Sequence, residues 1–173
     1  MTAESEQPRP LWAPWRIEYV GKPKANDCIF CAKAHNTAAD VENLVLARGE
    51  HAFVLLNAYP YNCGHLMVAP YAHVADLADL AREQRQEIIE LLVQAERVLR
   101  RAMQPSGFNL GFNIGADAGA GIADHLHGHV VPRWPGDTNF MPVLNNTRVV
   151  SQALVDTAAL LRQAWQAELG VSS

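Results

Sequence analysis

Between residues 113 and 134 the chain reads NIGADAGAGIADHLHGHVVPRW, a glycine-rich stretch that runs into three histidines at alternate positions. Imidazole is the side chain best suited to nucleophilic and proton-transfer work near neutral pH. In an extended strand His125, His127 and His129 share one face, with neighbours about 6 to 7 Å apart, while Leu126, Gly128 and Val130 point the other way. Gly115, Gly119 and Gly121 relieve the preceding loop of Cβ atoms, so its backbone N–H groups are free to turn inward as a nest for an anion, with phosphate the natural occupant. A three-histidine metal site is the competing chemistry, since imidazoles at alternate strand positions also suit zinc. A simple metal site has no need of the adjacent glycine loop.

A second group of chemically able residues lies near the start. Cys28 and Cys31, in NDCIFC, have the C-x-x-C spacing at which a tight turn lets two thiolates bite one metal ion. The same spacing serves redox pairs, and metal or redox use fits three cysteines better than a disulfide framework. Cys63 reads as a small buried hydrophobe.

The elements that must position these groups follow from periodicity. Residues 43–48 and 52–57 read as two strands joined at Gly49 and Glu50, and 65–70 as a third that Pro70 ends, leaving His73 in a loop just beyond. From 82 to 103, Ile88, Leu91, Leu92, Ala95, Leu99, Ala102 and Met103 keep the spacing of an amphipathic helix, with Glu87, Glu90, Glu96, Arg97 and Arg100 on a solvated face. Residues 108–114 and 125–132 read as strands four and five around the glycine loop. A last helix, capped by Ser151 and running to about 168, carries a stripe of Leu154, Ala158, Leu161 and Trp165. The expected architecture is an α+β domain: about five mainly antiparallel strands with a long helix after the third.

A chain of 173 residues, 49% hydrophobic, suits one buried core, so residues 11–173 are expected to form a single domain behind a disordered tail at 1–10. The LWAPWRIEYV arm carries too much apolar surface to stand in water and should pack on the domain or on a partner subunit. A net charge of −4 argues against nucleic acid as a partner. The absence of an apolar run near 20 residues argues against membrane insertion, and MTAESEQPRP has no apolar core like a signal peptide's, so the expectation is a soluble cytoplasmic protein.

Residues 28 to about 140 resemble the histidine triad (HIT) superfamily of nucleotidyl hydrolases and transferases. Its His-φ-His-φ-His-φ-φ signature is met by His125 to Val131, with glycine at one usually apolar position, and is followed by Pro132-Arg133. Gly64-His65-Leu66-Met67-Val68-Ala69-Pro70 resembles the family's G-H-x-x-V-x-P strand. The resemblance implies that His127 is the nucleophile that attacks the α-phosphorus to form a nucleotidyl-histidine. It implies that His129 holds phosphate oxygens and that the His125 carbonyl fixes the tautomer of His127. It places nucleotide binding on Asn57, Asn113, the Gly119, Ala120, Gly121 and Ile122 segment, and His129. It also implies a structural zinc on Cys28, Cys31, His73 and His125, and a homodimer through the 82–103 helix and neighbouring sheet edge.

Many HIT hydrolases carry glutamine just before the triad, where this chain has Ala118 to Asp124. That loop, the LWAPWR arm and PRWPGDTNF are similar to the bacterial diadenosine tetraphosphate (AP4A) phosphorylase-like branch, in which the acceptor can be inorganic phosphate rather than water, so cleavage by hydrolysis or by phosphorolysis is expected. Some members of that branch have serine near Gly121, absent here. A purine nucleotide or dinucleoside polyphosphate is then the expected substrate. An adenosine phosphoramidase and a nucleotide sensor without turnover would use the same pocket, and turnover separates the sensor from both.

Overall fold

Two adjacent interior strands are apolar at every position because both faces of the sheet are covered there. In this computed structural model, which describes residues 28–137 and 153–170, β1 (Val45–Arg48), β2 (Ala52–Leu56), β3 (Leu66–Pro70), β4 (Gly107–Phe112) and β5 (Gly128–Arg133) form one antiparallel sheet in the order β1-β2-β3-β5-β4. Both β2 and β3 are buried throughout. On one face Val54, Leu56, Leu66, Val68 and Val130 pack beneath two helices, α2 (Arg82–Met103) and α3 (Leu154–Glu168), against Leu91, Leu92, Leu99, Leu161 and Trp165. On the other face Phe53, Leu55, Met67 and Ala69 meet Phe30 of a short helix, α1 (Ile29–His35). The side-chain period of two sends alternate residues to the two cores.

The expected α+β architecture is the observed one, with α2 at the expected bounds after β3. Several local expectations need correction. Cys28 and Cys31 lie not in a tight turn but at the N-cap and in the first turn of α1. The fifth strand begins at Gly128, so only His129 of the triad belongs to it. Its pairing with β3 ends at Val68 and Gly128, and the chain then leaves the ladder, Leu126 N–H donating to the Val74 carbonyl at 2.6 Å. Helix α3 begins at Leu154 with Ala153 as its N-cap and no side-chain cap, while Ser151 lies outside the described residues. Glu87 is more than a solvated charge: its carboxylate accepts from the N–H groups of Glu50 and His51 at 2.6 and 2.5 Å, tying the β1–β2 turn to α2. The tail at 1–10 and the LWAPWRIEYV arm also lie outside the described residues.

Candidate active site and metal centre

Helix α1 is only seven residues long, too short to stand without tertiary support. Arg48 on β1 supplies it. Its guanidinium grips Asp40 at 2.7 to 3.2 Å and donates to the carbonyls of Lys33 and Ala34 at 2.8 and 3.1 Å. A cation at the carbonyl end of a helix is favourably placed. Lys33 in turn donates to the Asn43 carbonyl at 2.9 Å. The anchored helix points Cys28 and Cys31 at His73, beyond β3, and at His125.

The four ligand atoms Cys28 Sγ, Cys31 Sγ, His73 Nδ1 and His125 Nδ1 all lie within 4.8 Å of one another. Around one tetrahedral zinc, bond lengths near 2.3 Å to sulfur and 2.0 to 2.1 Å to nitrogen put nitrogens about 3.4 Å apart and nitrogen and sulfur about 3.6 Å apart. The observed separations are 3.2 Å between the two nitrogens and 3.3, 3.3 and 3.6 Å between nitrogen and sulfur. The cluster thus has the size and donor set of a metal site. Burial pushes the Cys31 thiol up, with Cys28 adding to the effect, so a metal would have to displace its proton.

Backbone groups set the tautomers of the histidines, because a carbonyl only accepts and an amide N–H only donates. His125 Nε2 lies 2.9 Å from the Pro70 carbonyl, so its proton sits there and Nδ1 keeps a lone pair facing Cys28, Cys31 and His73. His127 Nδ1 lies 2.8 Å from the His125 carbonyl, so Nδ1 is protonated and Nε2 carries the lone pair. Burial pushes His127 down from its ordinary value, partly offset by that hydrogen bond. Burial lowers His125 too, against the Pro70 contact, with His73 and His127 adding to the lowering. Both rings are neutral at pH 7. Phe30 packs on them at centroid distances of 5.1 and 4.8 Å. His125 is therefore a bridge, its ring in the cysteine–histidine cluster and its carbonyl on His127.

His65 is a member of the site that the sequence reading treated only as part of a strand signature. Its Nε2 lies 3.0 Å from His129 Nδ1, and both rings are buried. The available signal was an imidazole heading an otherwise apolar strand, a group whose burial demands partners. Gly64 before it has φ of 77°, and a Cβ there would meet Met103 Sδ at 2.7 Å. Gly128, the departure from the triad pattern, has a similar cause: its Cβ would meet the Phe112 ring at 2.9 Å and Leu92 at 3.3 Å.

The loop before the triad is partly closed on itself. Gly119 N–H donates to the Ala116 carbonyl at 2.9 Å and Ala120 N–H to that of Gly115 at 3.4 Å, while Gly115 and Gly119 have positive φ and Gly121 does not. Ile122 packs against the core cluster to which Phe30 belongs. Asn57 and Asn113 sit half-buried just past the ends of β2 and β4. The Asn57 side chain is used locally, its Oδ1 accepting from Tyr59 N–H at 2.9 Å.

This geometry has relatives. A chain 40% identical over 169 residues, covering 94% of this chain and 87% of its own length, is a Mycobacterium tuberculosis protein named AP-4-A phosphorylase. A Schizosaccharomyces pombe protein named adenosine 5'-monophosphoramidase is 28% identical, over 61% of this chain and 74% of its own. Among solved structures, a zinc-bound histidine triad family protein from Mycobacterium smegmatis superposes with a TM-score of 0.67 at 25% identity, over 84% of this chain and 98% of that one. The HIT domain family profile matches residues 38–136. With His127 held by the carbonyl of His125 at the heart of that span, the chain belongs to the HIT domain family.

Proposed function

We propose that this protein is a nucleotidyltransferase that cleaves dinucleoside polyphosphates such as AP4A through a nucleotidyl-His127 intermediate, with inorganic phosphate as acceptor. One observation carries the reading: His127 is neutral, its Nδ1–H fixed on the His125 carbonyl at 2.8 Å, and its Nε2 lone pair is therefore available. That lone pair attacks the α-phosphorus, the P–N bond forms, and the bond to the bridging oxygen breaks to release ATP. A phosphate oxygen then attacks the same phosphorus from the opposite side, the P–N bond breaks, and ADP leaves. His129, with its Nε2–H, holds a non-bridging oxygen through both steps. Asn57 and Asn113 would contact the nucleotide, and the Gly119 to Ile122 segment would cradle phosphate.

Cys28, Cys31, His73 and His125 would hold zinc. When bound, the metal neutralises two thiolates and ties α1 to the triad, a structural role. Two cysteines kept reduced for a metal support a cytoplasmic location. Homodimer formation is supported by edge strand β4, where Leu110, 46% exposed, lies on the α2 side of the sheet, and by α2 itself, where Ile89 and Val93 are 52% and 37% exposed. Among the described residues no helix is long and apolar enough to cross a membrane.

Product identification tests the acceptor. AP4A with phosphate should give ADP and ATP, and omission of phosphate should stop turnover. AMP formed at the same rate without phosphate would move the protein to the hydrolase side. Adenosine phosphoramidate cleaved in preference to AP4A would favour the activity named for the Schizosaccharomyces pombe relative.

A further inference from the structure

His129 serves the proposed reaction only if it presents a proton, not a lone pair, to the phosphate. Imidazoles joined Nε2 to Nδ1, as His65 and His129 are at 3.0 Å, and each bearing one proton, can carry those protons in either of two directions. With His65 protonated on Nε2, His129 accepts at Nδ1 and bears its own proton on Nε2. With the direction reversed, His65 carries its proton on Nδ1 and His129 turns a lone pair toward an anion. The first arrangement attracts phosphate; the second repels it.

The decision falls to the loop between β2 and β3. Tyr61 N–H lies 3.0 Å from His65 Nδ1, and a backbone amide only donates. Asn57 Nδ2 lies 3.3 Å from the same nitrogen. The Tyr59 N–H on Asn57 Oδ1 fixes which end of that amide faces His65, so Nδ2 is a second donor. Two donors converge on one ring nitrogen, which excludes a proton there. The Tyr61 ring holds the arrangement, lying over His65 at a centroid distance of 4.6 Å and over His129 at 5.8 Å. Asn62, the next residue, donates to the Pro132 carbonyl at 3.0 Å and to Asp137 at 2.8 Å, fastening the loop to the end of β5.

We propose that Tyr61 is a positioning residue whose backbone N–H, seated by its ring, fixes the proton of His65 on Nε2 and through it gives His129 a proton-donating Nε2 toward phosphate. The proposal rests on the phosphate-transfer reading above, but its first test does not use activity. Long-range proton–nitrogen NMR of the full chain with labelled histidine, assigned with His65→Asn, reports which ring nitrogens bear protons. Wild type should show His65 and His129 both protonated on Nε2, and a His65 protonated on Nδ1 would overturn the proposal. If those tautomers are found and AP4A is not cleaved, the functional reading fails and this one stands.

The second test replaces Tyr61 by 4-hydroxyphenyllactic acid, which keeps the ring and converts the amide to an ester without an N–H. The reversed tautomer should become visible at His65 and His129, and kcat should fall roughly fivefold to tenfold, the effect of one ordinary hydrogen bond, with KM little changed. Tyr61→Phe keeps the N–H and the ring face, and should retain the wild-type tautomers. An ester variant with wild-type tautomers and wild-type kcat would sink the proposal.

Discussion

At the scale of single residues, each histidine is distinguished by what its second nitrogen touches. His125 turns Nδ1 to Cys28, Cys31 and His73, His127 keeps its lone pair on Nε2, and His129 receives at Nδ1 from His65. His127→Asn should therefore lower nucleotidyl transfer by roughly 10⁴-fold or more while largely sparing nucleotide binding, since Asn keeps polarity but cannot attack. His129→Asn should cost on the order of 10²-fold in kcat, the usual effect of losing one donor to developing charge. Steady-state kinetics beside a direct binding titration separates the two. Their spacing in the sequence showed that these residues act together. It could not show which nitrogen of each ring bears the proton, because the Pro70 carbonyl and the Tyr61 N–H that decide it are backbone groups of remote segments.

At the scale of elements, the helix α2 and the strands β2 and β3 were legible because sustained apolar patterns fix them. The errors fall where tertiary contacts decide. HLHGHVVP alternates like a strand, yet its first three residues are outside the ladder because Leu126 bonds to Val74 and not to β3. Helix α1 is too short for a periodic signal and depends on Arg48 and Lys33. Gly128 looked like a defect in the triad pattern, and the structure gives its reason in the Phe112 ring beside it. Gly128→Ala should destabilise the protein by about 1 to 3 kcal/mol, since the added methyl must displace packed groups, and urea unfolding would measure it. Metal removal belongs to this scale as well. Chelation should lower Tm by at least about 5 °C, because each kcal/mol is worth roughly 2 to 4 °C in a domain of this size. An unchanged Tm, with no metal in the untreated protein, would remove the proposed structural site.

At the scale of the whole molecule, one sheet separates two jobs. The α2 and α3 face holds the larger core, and the α1 face holds the smaller core beside the proposed site, with β5 central enough to hold His129 between β3 and β4. The edge at β4 is left with Leu110 exposed, and Ile89→Glu with Leu110→Arg should convert a dimer into single chains in sedimentation at micromolar concentration. A wild type that already sediments as one chain would contradict the proposed dimer. The account as a whole stands on covalent transfer through His127. Rapid quenching of the enzyme with AP4A labelled at the α-phosphorus tests that most directly. The predicted result is an acid-labile, base-stable phosphoramidate on the peptide containing His127, formed and consumed at rates no slower than turnover. AP4A turnover persisting in His127→Asn, with no label on the wild-type peptide, would contradict it.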